Sequence, residues 1–153
     1  MKKKYPSKIK LDKYSDDFLI EILTSVKTIA LVGASSNPER DSFKVMKVLL
    51  DSGYKVFPVN PNEKDNIILG QSCYADLNSI DESIDMVDIF RATEAVLGVT
   101  KEAIEIGAKV LWTQLDIINK EAAEIAQNAG LKVVMNRCPK IELAKEYWTS
   151  NKN

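Results

Sequence analysis

Residues 33–44, GASSNPERDSFK, contain the side chains and spacing most suited to chemistry. Gly33 permits close backbone approach, and Ala34, Ser35 and Ser36 are small. Main-chain amides in such a turn, and at the start of the helix after it, can donate to phosphate oxygens. Ser35, Ser36 and Asn37 add side-chain donors, and Arg40 and Lys44 add positive charge. The chemistry implied is a grip on a phosphate-bearing ligand. The pattern is not the dinucleotide fingerprint, which needs three glycines and an acid about 20 residues on to hold ribose hydroxyls. Here one glycine is present, and the second apolar run ends in Val59-Asn60-Pro61, with no Asp or Glu at that tip. No G-K-[ST] occurs, so a Walker loop is excluded.

Other reactive groups are few. The chain has no histidine, which removes Ser-His and Cys-His nucleophile pairs, histidine metal sites and phosphohistidine transfer. Two cysteines, Cys73 and Cys138, are too few for a disulfide scaffold and make a poor zinc site by themselves. Cys138 lies between Arg137 and Pro139 at an expected helix start, a position that favours a thiolate. The alternative, and the favoured reading, is a small buried residue. Asp85, Asp88 and Asp116 form no pair with acid–base logic. Asp88 is expected to cap a turn or pair with Arg91. No catalytic residue is assigned.

These residues require a scaffold that presents them together, and the alternation of apolar runs with helical periods supplies one. Residues 15–26 read as a capped leading helix, 28–32 as a strand ending at Gly33, and 42–53 as an amphipathic helix closed by Gly53. Strands follow at 54–60, 84–90, 108–114 and 131–136, with helices at 93–107, 119–130 and 138–148. Residues 63–80 form a long connection expected to hold a short edge strand and one helical turn. Strands alternating with helices of this length imply parallel βαβ units, hence an α/β fold with a doubly wound, three-layer, mostly parallel five-stranded sheet. Ligands of such sheets lie beyond the carboxyl ends of the strands. The residues there are 33–40, Asn60-Pro61, Phe90-Arg91, Thr113-Gln114 and 136–139.

The 153-residue length fits one domain, expected at residues 14–150 after a basic arm at 1–13. That arm holds six Lys against one Asp, net +5, so a whole-chain charge of −1 leaves −6 for the rest. The balance favours neither nucleic acid nor a membrane surface. No apolar run reaches a membrane span, and cysteine usage fits a cytoplasmic compartment. Tyr147 and Trp148 on the last helix leave a homodimer open.

In order and at these distances, residues 29–80, then DMVDIFRATEAV, AIEIGAKVLWTQL and VVMNRCPKIE, resemble the stand-alone CoA-binding domain family. They are similar to the N-terminal CoA-binding module of succinyl-CoA synthetase α-like and ADP-forming acyl-CoA synthetase chains. The resemblance spans residues 15–147 and implies a Rossmann-like fold that binds coenzyme A. Laid on matching positions, it puts Gly33, Ala34 and Ser35 at the diphosphate, with Asn37, Arg40 and Lys44 as the polar and basic part of the loop. Val59, Asn60 and Pro61 border the adenosine end, Phe90 and Arg91 form the third-strand tip beside the ligand, and Trp112 and Gln114 lie along the pantetheine arm. Two departures bear on the thiol end: Leu143 stands where relatives often carry His, and residues 115–119 lack the glycine-containing turn common there. The implied function is a coenzyme A or acyl-CoA binding protein, non-catalytic alone, in the role of sensor, carrier or partner subunit, with Cys138 a candidate for a mixed disulfide with the thiol. The alternative is an NAD(P)-binding redox sensor or oxidoreductase-like protein.

Overall fold

A computed structural model describes residues 13–145. The basic arm, apart from Lys13, and the residues after 145, including Tyr147 and Trp148, lie outside the described residues. Ser15 opens the first helix, α1 (Asp16–Ser25), by accepting from the Phe18 amide, and Asp16 and Asp17 occupy its positive first turn. Five strands, β1 (Thr28–Val32), β2 (Lys55–Val59), β5 (Met86–Ile89), β6 (Val110–Thr113) and β7 (Lys132–Val134), form one parallel sheet in the order β2-β1-β5-β6-β7. The remaining helices are α2 (Asp41–Asp51), α3 (Thr93–Glu105), α4 (Lys120–Asn128) and α5 (Pro139–Leu143).

The strands are nearly continuous apolar runs because both sheet faces are covered. Alternation sends Ile29, Leu31, Met86, Trp112 and Val134 toward α1, α2 and α5. It sends Ala30, Val32, Val87, Ile89, Leu111 and Val133 toward α3 and α4. The result is a three-layer, doubly wound, Rossmann-like fold. Successive crossovers leave the central pair β1–β5 in opposite directions, so a crevice opens at the carboxyl ends of these two strands.

Two expectations about elements are corrected. The connection after β2 does not add an edge strand to the main sheet. It forms a separate antiparallel hairpin, β3 (Ile67–Ile68) with β4 (Gln71–Ser72), between one-turn 3-10 helices at Pro61–Glu63 and Leu77–Ser79. Leu69 and Gly70 both take positive φ, the geometry of a two-residue hairpin turn, and the connection meets the sheet through the Val59–Tyr74 bridge. The last helix, expected to reach residue 148, has five residues within the described region and turns at Ala144.

Candidate functional site

The first loop is held by β2. The amides of Gly33 and Ala34 both donate to the Val59 carbonyl, at 2.8 and 3.2 Å, and Asn60 Nδ2 donates to the Ala34 carbonyl at 2.8 Å. Two of the three residues expected at the phosphates, Gly33 and Ala34, therefore have their amides satisfied within the protein. Gly33 serves a different need. At φ +93°, a Cβ there would lie 2.3 Å from the Phe90 carbonyl oxygen, so glycine is what lets the loop after β1 pass over the end of β5. Asn37 also turns inward: its amide donates to Ser35 Oγ and its Oδ1 accepts from the Glu39 amide. The amides of Ser35, Asp41 and Ser42 have no acceptor among the described residues; the latter two are first-turn amides of α2, whose N-cap Arg40 supplies no side-chain cap. Across the crevice α3 also starts without a side-chain cap, at Ala92. Two open helix N-termini thus flank the switch point, each presenting donors and the positive end of a helix dipole.

The crevice has a volume of about 570 Å³, within the usual range for ligand sites. Seven of the twelve residues singled out from the sequence line it: Gly33, Ala34, Ser35, Arg40, Asn60, Phe90 and Arg91. Five do not. Asn37 shapes the loop, Lys44 sits exposed on α2, Val59 is buried and contributes its carbonyl, Pro61 is exposed at the start of a 3-10 helix, and Gln114 lies at the end of β6. Gln114 is nevertheless notable: its Oε1 is buried without a hydrogen-bond partner.

Sequence reasoning missed Ser42, Asn62 and three acids, Glu39, Asp41 and Glu63, all in the lining. The crevice therefore mixes two arginines with three carboxylates rather than being uniformly basic. Glu63 reaches it because Asn60 caps the 3-10 helix, its Oδ1 accepting from the Asn62 amide, and Pro61 starts that turn. The order Asn-Pro-x-acid has the spacing of an N-cap, a first-turn proline and an acid at the third helical position, and that signal is visible in the sequence. Glu63 Oε2 accepts from the Ser36 amide at 2.9 Å and from Ser36 Oγ at 3.2 Å, while Oε1 accepts from Asn66 Nδ2 at 3.1 Å. These bonds, the Ser36 amide's first, hold its carboxyl below the ordinary value.

Three further residues resolve differently from their reactive readings. Asp88 neither caps a turn nor pairs with Arg91. It is fully buried in mid-strand between Leu31 and Trp112, and neither carboxylate oxygen has a partner. Burial pushes its carboxyl well above the ordinary 3.8, so it keeps its proton to a higher pH than a free carboxyl does. Trp112 is also fully buried, with Nε1 donating to the Arg137 carbonyl at 2.9 Å, and is a core residue rather than a ligand platform. Cys138 is the small buried residue, packed into the core formed with α1 and α2. Neither cysteine is in a disulfide. Among the described residues no group of His, Cys, Asp and Glu could hold a metal ion, and no helix is long and apolar enough to cross a membrane.

A doubly wound parallel sheet with a polar crevice at its switch point, rimmed by open helix N-termini and arginines, defines a Rossmann-like α/β protein. The family follows from comparison. The model of the CoA binding domain matches residues 27–144, and the chain belongs to that family. It is 40% identical to the uncharacterized protein YneT of Bacillus subtilis over 121 residues, covering 79% of this chain and 88% of YneT. It is 30% identical to the alpha subunit of the ADP-forming acetate–CoA ligase I of Pyrococcus furiosus over 132 residues. That match covers 84% of this chain but only 27% of the subunit. A solved structure of a hypothetical protein from Pyrococcus horikoshii superposes with a TM-score of 0.82 at 43% identity, covering 91% of this chain and 96% of that one.

Proposed function

We propose that this chain binds coenzyme A in the crevice between β1 and β5 and is a holder of the cofactor rather than a catalyst. The observation that carries this reading is the set of unengaged donors there: the amides of Ser35, Asp41 and Ser42, with Arg40 and Arg91, which form no ion pair among the described residues. Such donors suit the phosphates of a nucleotide cofactor. Asn60 and the end of β2 border the adenosine end in this reading. The orphaned Gln114 Oε1 suits an amide N–H, the group that repeats along a pantetheine arm. Bound coenzyme A supplies a thiol that carries acyl groups, and the chain's residues bind and orient the cofactor. The match to part of an acetate–CoA ligase subunit supports the cofactor class, and sensor, carrier and partner subunit are the roles it allows.

Charge sets the expected affinity. Two exposed arginines opposed by three carboxylates favour micromolar binding, about −8 kcal/mol, weakened by salt. At a ligand concentration 100-fold above Kd, native-state binding adds about 2.7 kcal/mol. Millimolar coenzyme A should therefore raise the melting temperature by several degrees, and Arg40→Ala or Arg91→Ala should shrink the rise. An unchanged melting curve overturns the reading. The nicotinamide alternative gains one feature, an acid near the β2 end in Glu63, although its oxygens are engaged by Ser36 and Asn66. Titration with NAD and NADP beside coenzyme A separates the two, and tighter nicotinamide binding reverses the ranking.

A further inference from the structure

We propose that Glu63 is the specificity-determining residue of the crevice: its carboxylate occupies the anion position on the first loop and makes binding depend on how much phosphate charge a ligand brings. The inference rests on the coenzyme A reading and deepens it.

The geometry is that of an internal anion. One carboxylate oxygen takes both the amide and the hydroxyl of Ser36, in the loop that follows the first strand. A phosphate oxygen on such a loop receives the same pair of donors. The other oxygen is braced by Asn66 from the far side of the β2 connection. No cation pairs with Glu63 among the described residues, although Arg40 and Arg91 line the same crevice. The arginines are thus open to an external anion, while the Ser36 donors are already held by a fixed negative charge. A ligand phosphate that reaches Ser36 must displace Glu63. One that settles on Arg40, Arg91 or the α2 N-terminus meets its repulsion.

Two consequences follow from charge alone. Phosphate-rich ligands are penalised relative to what the donors would otherwise give, and ligands without phosphate are not. Between unit charges a few ångströms apart at a surface the repulsion amounts to roughly a five- to tenfold change in affinity, and salt screens it. Release of Glu63 also removes its tie between the residue 60–66 connection and the first loop, leaving the bond from Asn60 to the Ala34 carbonyl, so a phosphate arriving at Ser36 is coupled to movement of the segment beyond Asn60.

The test compares full-length wild type with Glu63→Gln and Glu63→Ala by calorimetric titration with coenzyme A, ADP and adenosine. Glutamine keeps an acceptor for Ser36 and removes the charge, giving up only the acceptor that faces Asn66 Nδ2; alanine removes the charge and both acceptors. At low salt, Glu63→Gln should bind coenzyme A and ADP about five- to tenfold more tightly than wild type, with the gap closing near 0.5 M salt and no change for adenosine. If wild type binds coenzyme A and Glu63→Gln binds it equally or less well, the inference is overturned and the coenzyme A reading stands. An adenosine gain as large as that of ADP overturns it too. If neither protein binds coenzyme A, both readings fall. Melting curves of the ligand-free variants establish folding, and the isosteric glutamine decides the matter if alanine loosens the loop.

Discussion

The β5–α3 and β6–α4 units are neighbours in the sheet and share one architecture, and each leaves buried oxygens without a partner, Asp88 in the first and Gln114 and Gln127 in the second, yet they differ in the polar side chains of the strand and in how the helix starts. In β6–α4 the buried Thr113 hydroxyl donates to the Ile117 carbonyl at 2.6 Å and accepts from the Asn136 amide at 3.3 Å. Trp112 Nε1 is satisfied by Arg137, and Asn119 caps α4 through the Ala122 amide. In β5–α3 a carboxyl group is buried with no partner, and the helix begins without a side-chain cap. The open unit is the one that borders the switch-point crevice. The uncapped start of α3 is left open there at a cost in stability, the usual trade where a fold keeps donors for a ligand.

The largest expected effect comes from closing the gap between the first loop and the open unit. Gly33→Ala places a methyl group 2.3 Å from the Phe90 carbonyl, at a φ that suits glycine. Neither backbone segment can yield cheaply, so urea unfolding should show a loss of about 3 kcal/mol or more. An alanine variant of wild-type stability would mean that the close approach of β1 and β5 is soft.

Next comes the carboxyl inside β5. Asp88 keeps its proton in the native state to a higher pH than in the unfolded chain, where the ordinary value is 3.8. Between these two pKa values the native state binds more protons, so stability is fully present below about pH 4 and declines as pH rises through the folded pKa. Asp88→Asn should abolish that decline and leave the variant more stable than wild type at neutral pH, because the amide is as unpartnered as the neutral acid but has no proton to lose. Denaturation midpoints from about pH 4 to 8 check this, and a variant less stable than wild type at neutral pH would show that β5 conceals a satisfied network.

The smallest effect comes from exchanging the caps. Asn119→Ala should cost about 1 kcal/mol by removing the α4 cap, and Ala92→Asp should gain a similar amount on α3. The gain should come with weaker coenzyme A binding, because the new carboxylate stands next in sequence to Arg91, which lines the crevice. Improved stability with unchanged binding would sever the link between the open helix end and the ligand.

Much of the scaffold was legible in the sequence. Five apolar runs, each short enough for a strand and followed by glycine, proline or polar residues, dictate a covered parallel sheet, and the Ser15 and Asn119 caps announce their helices. The 63–80 connection was less legible because two-residue strands carry too little periodicity to register, and Leu69-Gly70 is an uncommon turn pair. The loop amides were misjudged for a similar reason. That Gly33 and Ala34 donate to Val59 depends on strand register, which composition does not encode. Asp88 reads as a polar strand end in sequence, and only the pairing of β5 with both β1 and β6 reveals that it is enclosed.

The strand order also governs how the chain can assemble. β1 lies inside the sheet, but its neighbours arrive late: Thr28 pairs with Lys55, and Ile29 with Met86. A growing polypeptide must therefore hold an apolar, half-paired β1 until β5 has emerged, and loop closure precedes any reward from pairing. Folding should be slow for a chain of this size, and nascent fragments ending before β5 should depend on chaperones to stay dispersed.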